Sequence, residues 1–297
     1  MLFMTLGARG NWDFVLPYRG AKLLALLLVA SAIATSTLLF QTITRNRILT
    51  PSIMGFDALY LLMLTAAVFL LGAGGYGQIP EPAQFLITLA LLIAGALTLY
   101  GTLLNQIRQD LMRMILTGVI IGVLFRSLNA FMSRMIDPNE FSVIQINSYA
   151  RFNRIETDLL SIALLLCGTT LIVAWRMRHR LDVLALGHNA AINLGEDPRR
   201  TQLQILILIS VLVATSIALV GPVAFLGLLV VNVAYLITPS PRHATLLPSA
   251  VLIGAIVLIG GQMILEHSLG LSTPLAVVID LAGGIVFLTL ILKGTVR

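Results

Sequence analysis

Residues 203–237 read LQILILISVLVATSIALVGPVAFLGLLVVNVAYLI and carry no charged side chain over 35 residues. A helix needs about 20 apolar residues to cross the hydrocarbon core of a bilayer, so this run predicts membrane insertion. Gly221-Pro222 interrupts the run and divides it into segments 203–220 and 222–237. The second segment is short, and we expect it to be broken or re-entrant. Irregular backbone at membrane depth is tolerated only where it is buried in protein or borders a cavity.

The remainder of the 297-residue chain has the same character. Hydrophobic residues make up 58% and charged residues 11%, a balance that excludes a water-soluble enzyme. No long polar linker divides the chain, so we predict an all-α polytopic membrane protein with one transmembrane domain over residues 1–297 and about nine transmembrane helices. The seven further apolar segments are 23–40, 56–73, 84–104, 114–133, 158–175, 246–266 and 275–292.

The N-terminus departs from this pattern. Residues 1–6 are apolar but too short to span a bilayer, and Gly7-Ala8-Arg9 ends the run. We therefore expect this stretch to be the tail of a helix whose beginning is absent.

The distribution of positive charge predicts the topology. Lys and Arg total 19 against 13 acidic residues, and 12 of the 19 lie in segments 41–55, 105–113, 176–202 and 238–245 and at the C-terminus. Positive residues favour the cytoplasmic side, so we predict a multi-pass membrane protein with its C-terminus in the cytoplasm. Because these charges are scattered between apolar runs, they indicate lipid contact and no nucleic-acid partner.

The residues needed for several chemistries are missing. The chain has two lysines, Lys22 and Lys293, and neither precedes Ser or Thr, so no phosphate-binding P-loop exists and any ATPase must be a separate chain. The single cysteine, Cys167, excludes an internal disulfide. The four histidines lack metal-ligand spacing, and we predict no catalytic residue, cofactor or metal site.

Two intramembrane features leave alternatives open. Asp280 lies within an apolar run, where a carboxylate either couples transport to an ion or hydrogen-bonds to a neighbouring helix. Gly118 and Gly122 form a GxxxG pattern, which favours close helix packing either within the chain or in a dimer. An ion-coupled secondary transporter that depends on Asp280 and a structural membrane-assembly protein without cargo are therefore alternative functions.

A polar segment, residues 176–202, separates two apolar runs. Its apolar residues lie between basic ends, which predicts a short helix along the cytoplasmic face of the membrane. Gly195 is expected to end this helix, and Pro198 to prevent its continuation.

Three separated stretches resemble one protein family. They are RGAKLLALLLVASAIATSTLLFQTITRNRILTPSIMGF at 19–56, LALGHNAAINLGEDPRR at 184–200 and GPVAFLGLLVVNVAYL at 221–236, followed by PLAVVIDLAGGIVFL at 274–288. Together they resemble permease subunits of bacterial ABC importers for iron–siderophore complexes and vitamin B12, the FecCD permease family. Residues 41–56 are most similar to permeases for catecholate siderophores such as vibriobactin and enterobactin.

The resemblance implies a type II importer permease fold of ten helices in the bacterial inner (plasma) membrane, and we expect the first of these helices to be absent here. It also implies a second permease chain, two ABC ATPase subunits, a periplasmic siderophore-binding protein and a ferric siderophore cargo, with cobalamin or haem as the alternative cargo. Arg19 and Lys22 match outer basic residues that dock the binding protein, and their spacing of three places both on one helix face. In that family the matching segment is a pair of coupling helices that fits a cleft in the ATPase. Its residues here are Leu184, Leu186, Gly187, Ala190, Ala191, Leu194, Gly195 and Glu196.

The chain departs from the family pattern at several positions. Leu265-Glu266-His267 stands where the family can carry a further basic docking residue. Arg47 replaces a common proline, Asn232 a histidine and Tyr235 an arginine. This asymmetry favours pairing with a different permease chain over pairing with a second copy.

Overall fold

Helices form most of the chain that the computed structural model describes, namely residues 3, 12–106, 111–152, 157–268 and 274–292. No β-strand occurs within those ranges, which confirms the all-α prediction. A short 3-10 helix, Pro51–Met54, precedes the second α-helix. In chain order the helices are α1 (Trp12–Thr44), α2 (Phe56–Gly77), α3 (Glu81–Gln106), α4 (Leu111–Ser133), α5 (Pro138–Asn147), α6 (Thr157–Arg176), α7 (Arg178–Ala185), α8 (His188–Asn193), α9 (Pro198–Val220), α10 (Leu226–Ile237), α11 (His243–Ser268) and α12 (Leu275–Leu292).

Seven of these helices, α1 to α4, α6, α9 and α11, are long and apolar enough to cross a membrane. Two shorter apolar helices, α10 and α12, complete the set. Over the described ranges these elements fall in order on the nine segments predicted from the sequence, so the polytopic architecture is confirmed. The expectation about the N-terminal stub concerns residues that, Phe3 apart, lie outside the described part of the chain.

Helices α1 and α9 form the centre of the molecule. In α1, 72% of an 18-residue apolar stretch is buried, and in α9 the value is 61%. In each of the other five long helices it is 33% or less. Small side chains on α1, such as Ala25 and Ala30, allow its neighbours to approach closely. A Cβ at Gly254 of α11 would lie 3.3 Å from the Ala30 carbonyl oxygen. Helix α1 therefore packs closely against both α9 and α11.

The glycine pair of α4 packs within the chain. A Cβ at Gly118 would lie 3.3 Å from the Met54 Cα, and one at Gly122 would lie 3.2 Å from the Gly55 Cα. Internal packing is thus the role that the structure gives this GxxxG pattern. The segment before α2 is more than a surface connection, because Thr50 and Met54 are only 7% and 4% exposed. It folds back between α1 and α4.

The predicted break between α9 and α10 is confirmed. Helix α9 ends at Val220 and α10 begins at Leu226. Gly221 adopts a φ of 98°, which side chains rarely tolerate, and a Cβ there would lie 3.3 Å from the Ala150 Cα. The Arg151 amide donates a hydrogen bond to the Val220 carbonyl at 2.7 Å. The break is therefore covered by the chain that follows α5, as irregular backbone in a membrane requires.

Candidate coupling and docking sites

The polar segment predicted as one helix forms two, α7 and α8, separated at Gly187. The glycine has a φ of 107°, so the backbone turns there. A Cβ at this position would lie 3.0 Å from Arg45 Nη1, next to the end of α1. The single-helix interpretation was wrong because periodicity places the apolar residues on a common face but does not detect a glycine bend. We call residues 184–196 the coupling segment.

The predicted stop at Gly195 is confirmed. Gly195 adopts a φ of 82°, its amide donates to the Ile192 carbonyl at 2.9 Å, and the Glu196 amide donates to the Ala191 carbonyl at 3.0 Å. This paired pattern is a Schellman motif, which requires a left-handed residue after the helix. Asp197 then caps α9, accepting hydrogen bonds from the amides of its first turn. The turn thus joins α8 rigidly to the central helix α9.

The coupling segment has an inner and an outer face. Leu184, Gly187 and Ala191 are buried, whereas Leu186 and Leu194 are 66% and 62% exposed. Ala190 and Glu196 are half-buried, and Gly195 is exposed. Ile192, which the predicted site omits, is 51% exposed and adds a third large apolar side chain to the outer face. We call Leu186, Ile192 and Leu194 the apolar patch.

A chain of hydrogen bonds ties α7 to the core helices. The Asp182 carboxylate accepts from the backbone amide of His243 at 2.8 Å and lies 2.7 Å from its Nδ1. The other ring nitrogen, Nε2, lies 2.7 Å from the Thr42 hydroxyl. His243 begins α11, is 3% exposed and bridges α7 to α1. Sequence reasoning missed this link because its members lie 61 and 201 residues apart.

Glu196, the last residue of the coupling segment, contacts both α7 and α9. Its carboxylate accepts from the Thr201 hydroxyl at 2.6 Å and lies 3.6 Å from Arg180 Nε. These contacts join the end of the coupling segment to α7 and to the first turn of α9.

Three departures from the family pattern come together at this end of the molecule. The Arg47 guanidinium stacks over the Tyr235 ring at 4.4 Å from its centroid. The Asn232 amide donates to the Arg47 carbonyl at 3.4 Å and to the Leu228 carbonyl at 2.8 Å. Arg47 is thus distant in the sequence from Asn232 and Tyr235, the other two departures, yet it contacts both of them in the structure.

The two predicted docking residues lie in different environments. Lys22 is buried, with its Nζ 2.5 Å from Glu266 Oε1 of α11, and Gln262 donates to the same oxygen at 2.9 Å. Arg19 is partly exposed, and its Nη1 donates to the Phe3 carbonyl at 3.1 Å. Glu266, one of the departures from the family, therefore holds the ammonium group of Lys22 inside the chain. Their helical spacing does not leave both cations accessible.

Breaking the Lys22–Glu266 pair should destabilise the protein. Glu266→Ala leaves a buried ammonium group without its counter-ion, and we expect the free energy of unfolding to fall by about 3–5 kcal/mol. Replacing both partners by methionine should recover most of this loss, because no unpaired charge remains. Thermal unfolding in detergent measures both variants. Equal stability of Glu266→Ala and the wild type would contradict a structural ion pair.

Asp280 has a structural partner. Its Oδ1 accepts a hydrogen bond at 3.1 Å from the backbone amide of Phe225, directly before α10. A carboxylate at a helix N-terminus satisfies an otherwise unpaired amide and interacts favourably with the helix dipole. This geometry supports the hydrogen-bonding alternative rather than the ion-coupled one.

We expect Asp280→Asn to keep transport within about two-fold of wild type, because the amide oxygen still accepts from Phe225. Uptake measured with and without a proton gradient checks this. Near-total loss of uptake, together with loss of a proton dependence seen in the wild type, would instead favour ion coupling.

The chain is similar to known permeases over nearly its whole length. The profile of the FecCD transport family matches residues 2–293. The chain is 44% identical over 284 residues to the petrobactin import system permease protein YclO of Bacillus subtilis (strain 168), covering 96% of this chain and 90% of that protein. It is 30% identical over 294 residues to the vitamin B12 import system permease protein BtuC of Salmonella typhi, covering 97% and 86%. The inward-facing structure of a metal-chelate-type ABC transporter superimposes with a TM-score of 0.79 at 22% identity, covering 94% of this chain and 88% of that one, and shows the shared fold.

Proposed function

Because this chain belongs to the FecCD transport family, we propose that it serves as the permease subunit of an ATP-driven importer that moves a ferric siderophore across the bacterial membrane. It is a transport subunit and not an enzyme, and ATP is hydrolysed on a separate chain. The petrobactin permease YclO supports a siderophore cargo, and within that class we propose a catecholate chelate. The vitamin B12 permease BtuC makes cobalamin the second candidate.

The observation that carries this proposal is the apolar patch on the coupling segment. Leu186, Ile192 and Leu194 present large side chains outward from two short helices whose opposite face is buried. Exposed apolar clusters rimmed by polar residues mark protein interaction sites. The occupant we propose is the ABC ATPase, one subunit beneath each permease chain.

Hydrogen bonds connect the coupling segment and the adjacent helix α7 to the membrane helices by two routes. One runs through the Gly195 turn and the Asp197 cap into α9. The other runs from Asp182 through His243 to Thr42 of α1. We propose that ATP-driven closure of the two ATPase subunits displaces the coupling segment. Helices α1, α9 and α11 then rock together and switch the path from outward-open to inward-open.

The remaining partners lie on the opposite side of the membrane and within it. We propose that Arg19 contacts acidic residues of a periplasmic siderophore-binding protein, while Lys22 fixes α1 against α11 through Glu266. A second, different permease chain completes the pathway. The C-terminus then lies in the cytoplasm, as the positive charges predict.

The Asp182 link provides a test of transmission. Asp182→Ala removes the acceptor of two hydrogen bonds from His243, a loss of about 1–3 kcal/mol of local stabilisation. We expect transport to fall about ten-fold while the ATPase stays bound, because the patch is intact but no longer tied to α11. His179→Ala, a change at an exposed position on the same helix, is the matched control. Equal transport by both variants would contradict a transmitting role.

Purification in mild detergent followed by native mass spectrometry tests the assembly. The proposal predicts a complex with two ATPase subunits and a second permease. A chain that emerges alone, or as a homodimer without ATPase, would contradict it. Uptake by intact cells of radiolabelled ferric petrobactin, ferric enterobactin and cyanocobalamin then identifies the cargo class.

A further inference from the structure

Arg126 is a charged residue on the most exposed long helix of the molecule. Only 17% of the α4 window is buried, and Arg126 lies on its exposed side. The span runs from Ile115 to Ser133, which places Arg126 about 16 Å from one end and about 10 Å from the other. A guanidinium group this deep is strongly unfavourable in hydrocarbon, so such residues face water-filled cavities or polar partners. The exposed side of α4 around Arg126 must therefore border something polar.

Arg126 has one acidic neighbour, Asp57, but forms no close ion pair within the described part of the chain. Asp57, at the start of α2, interacts electrostatically with Arg126 and with Asp280 of α12 and is hydrogen-bonded to Ser52. Within the described residues no carboxylate lies within 4 Å of the Arg126 guanidinium. Ser127, the next residue, is exposed as well. The charge of Arg126 is thus partly offset by Asp57, and within the described residues its guanidinium group forms no close ion pair.

We propose that Arg126 lines the aqueous passage and contacts the anionic ferric chelate directly, which makes it a specificity-determining residue for negatively charged cargo. This inference rests on the proposed importer function and deepens it. Each catecholate group binds iron as a dianion, so a ferric catecholate complex carries net negative charge, whereas cyanocobalamin is neutral. The five donors of a guanidinium suit several closely spaced oxygen atoms.

The acidic neighbours give this arrangement a second property. A passage must bind its cargo strongly enough to admit it and weakly enough to release it. Asp57 interacts electrostatically with Arg126 and so lowers the positive potential that the chelate meets. Arg126 therefore attracts an anionic chelate, while the neighbouring carboxylate keeps the binding weak enough for the chelate to dissociate.

The experiment uses the complete complex in proteoliposomes with its binding protein and radiolabelled ferric petrobactin or ferric enterobactin. Arg126→Gln should lower uptake about ten-fold, the value of one charge-assisted contact. Arg126→Lys should keep at least half of the wild-type rate, and ATP hydrolysis stimulated by the binding protein should stay unchanged in both. Arg134→Gln removes an exposed positive charge beyond the end of the same helix and should have little effect.

Cysteine substitution provides a readout of water access and of charge. The natural Cys167 is 1% exposed, so it contributes little background labelling. Arg126→Cys should react in the intact complex with a membrane-impermeant thiosulfonate reagent. Attachment of a trimethylammonium group should restore uptake, and attachment of a sulfonate group should not.

The outcomes separate the two levels of the proposal. If the wild type transports neither ferric chelate, the proposed function fails, and thiol labelling at position 126 still reports whether the site is aqueous. If the wild type transports a chelate and Arg126→Gln does so equally well, the role of Arg126 is overturned. It is also overturned if Arg126→Gln prevents assembly with the second permease, because the cation would then be a structural partner across the interface.

Discussion

Replacing Gly195 by proline should abolish coupled transport while the chain still inserts into the membrane. Proline fixes φ near −65°, whereas Gly195 adopts a φ of 82°. Proline also removes the amide that donates to the Ile192 carbonyl. The turn between α8 and α9 is then lost, and with it the direct connection from the apolar patch to the central helix. We expect uptake to fall by at least about ten-fold, since Pro in an incompatible backbone costs several kcal/mol.

Gly195→Asn is the matched control. Asparagine is the residue, after glycine, that best tolerates the left-handed conformation at the end of a helix. No atom lies within 4 Å of the position where its Cβ would be. Uptake and the amount of co-purified ATPase should therefore be close to wild type for this variant. Wild-type uptake by Gly195→Pro would contradict the coupling role of the segment.

Replacing Gly122 by leucine should strongly impair folding. A Cβ alone at this position would lie 3.2 Å from the Gly55 Cα. The three further carbon atoms of a leucine side chain therefore have no space. Gly55 cannot move aside easily, because its φ of 92° is part of the bend between the 3-10 helix and α2. We expect a loss of about 1–3 kcal/mol or more, and much less protein in the membrane.

Ala130→Leu is the control for this prediction, because it adds the same side chain on the exposed side of α4. Membrane abundance and thermal unfolding in detergent measure both variants. Wild-type abundance of Gly122→Leu would contradict internal packing of the glycine pair and would favour the dimer alternative.

The helices and their ends could be predicted from local sequence because their causes are local. Apolar runs longer than a bilayer thickness fix the spans, Gly221 fixes the break, and Gly195 fixes the end of α8. The bend at Gly187 was missed because one glycine within an amphipathic pattern does not reveal whether its φ is positive. Helix spacing predicts a shared face for Arg19 and Lys22 but not the partner on another helix.

The contacts that define the candidate sites depend on residues distant in sequence. Lys22 and Glu266 are 244 positions apart, and Thr42 and His243 are 201 apart. No periodicity connects such pairs, because they meet only when α1 and α11 pack together. The eight predicted coupling residues all lie within residues 184–196, but only packing decides that Leu184 faces inward and Leu186 outward.

The most direct test of the central claim is transport by the complete complex in proteoliposomes without ion gradients. The account predicts that radiolabelled ferric siderophore accumulates only when the binding protein is present outside and ATP is present on the ATPase side. It also predicts that dissipating a proton or sodium gradient has no effect. Accumulation that requires an ion gradient and no ATP would contradict an ATP-driven importer.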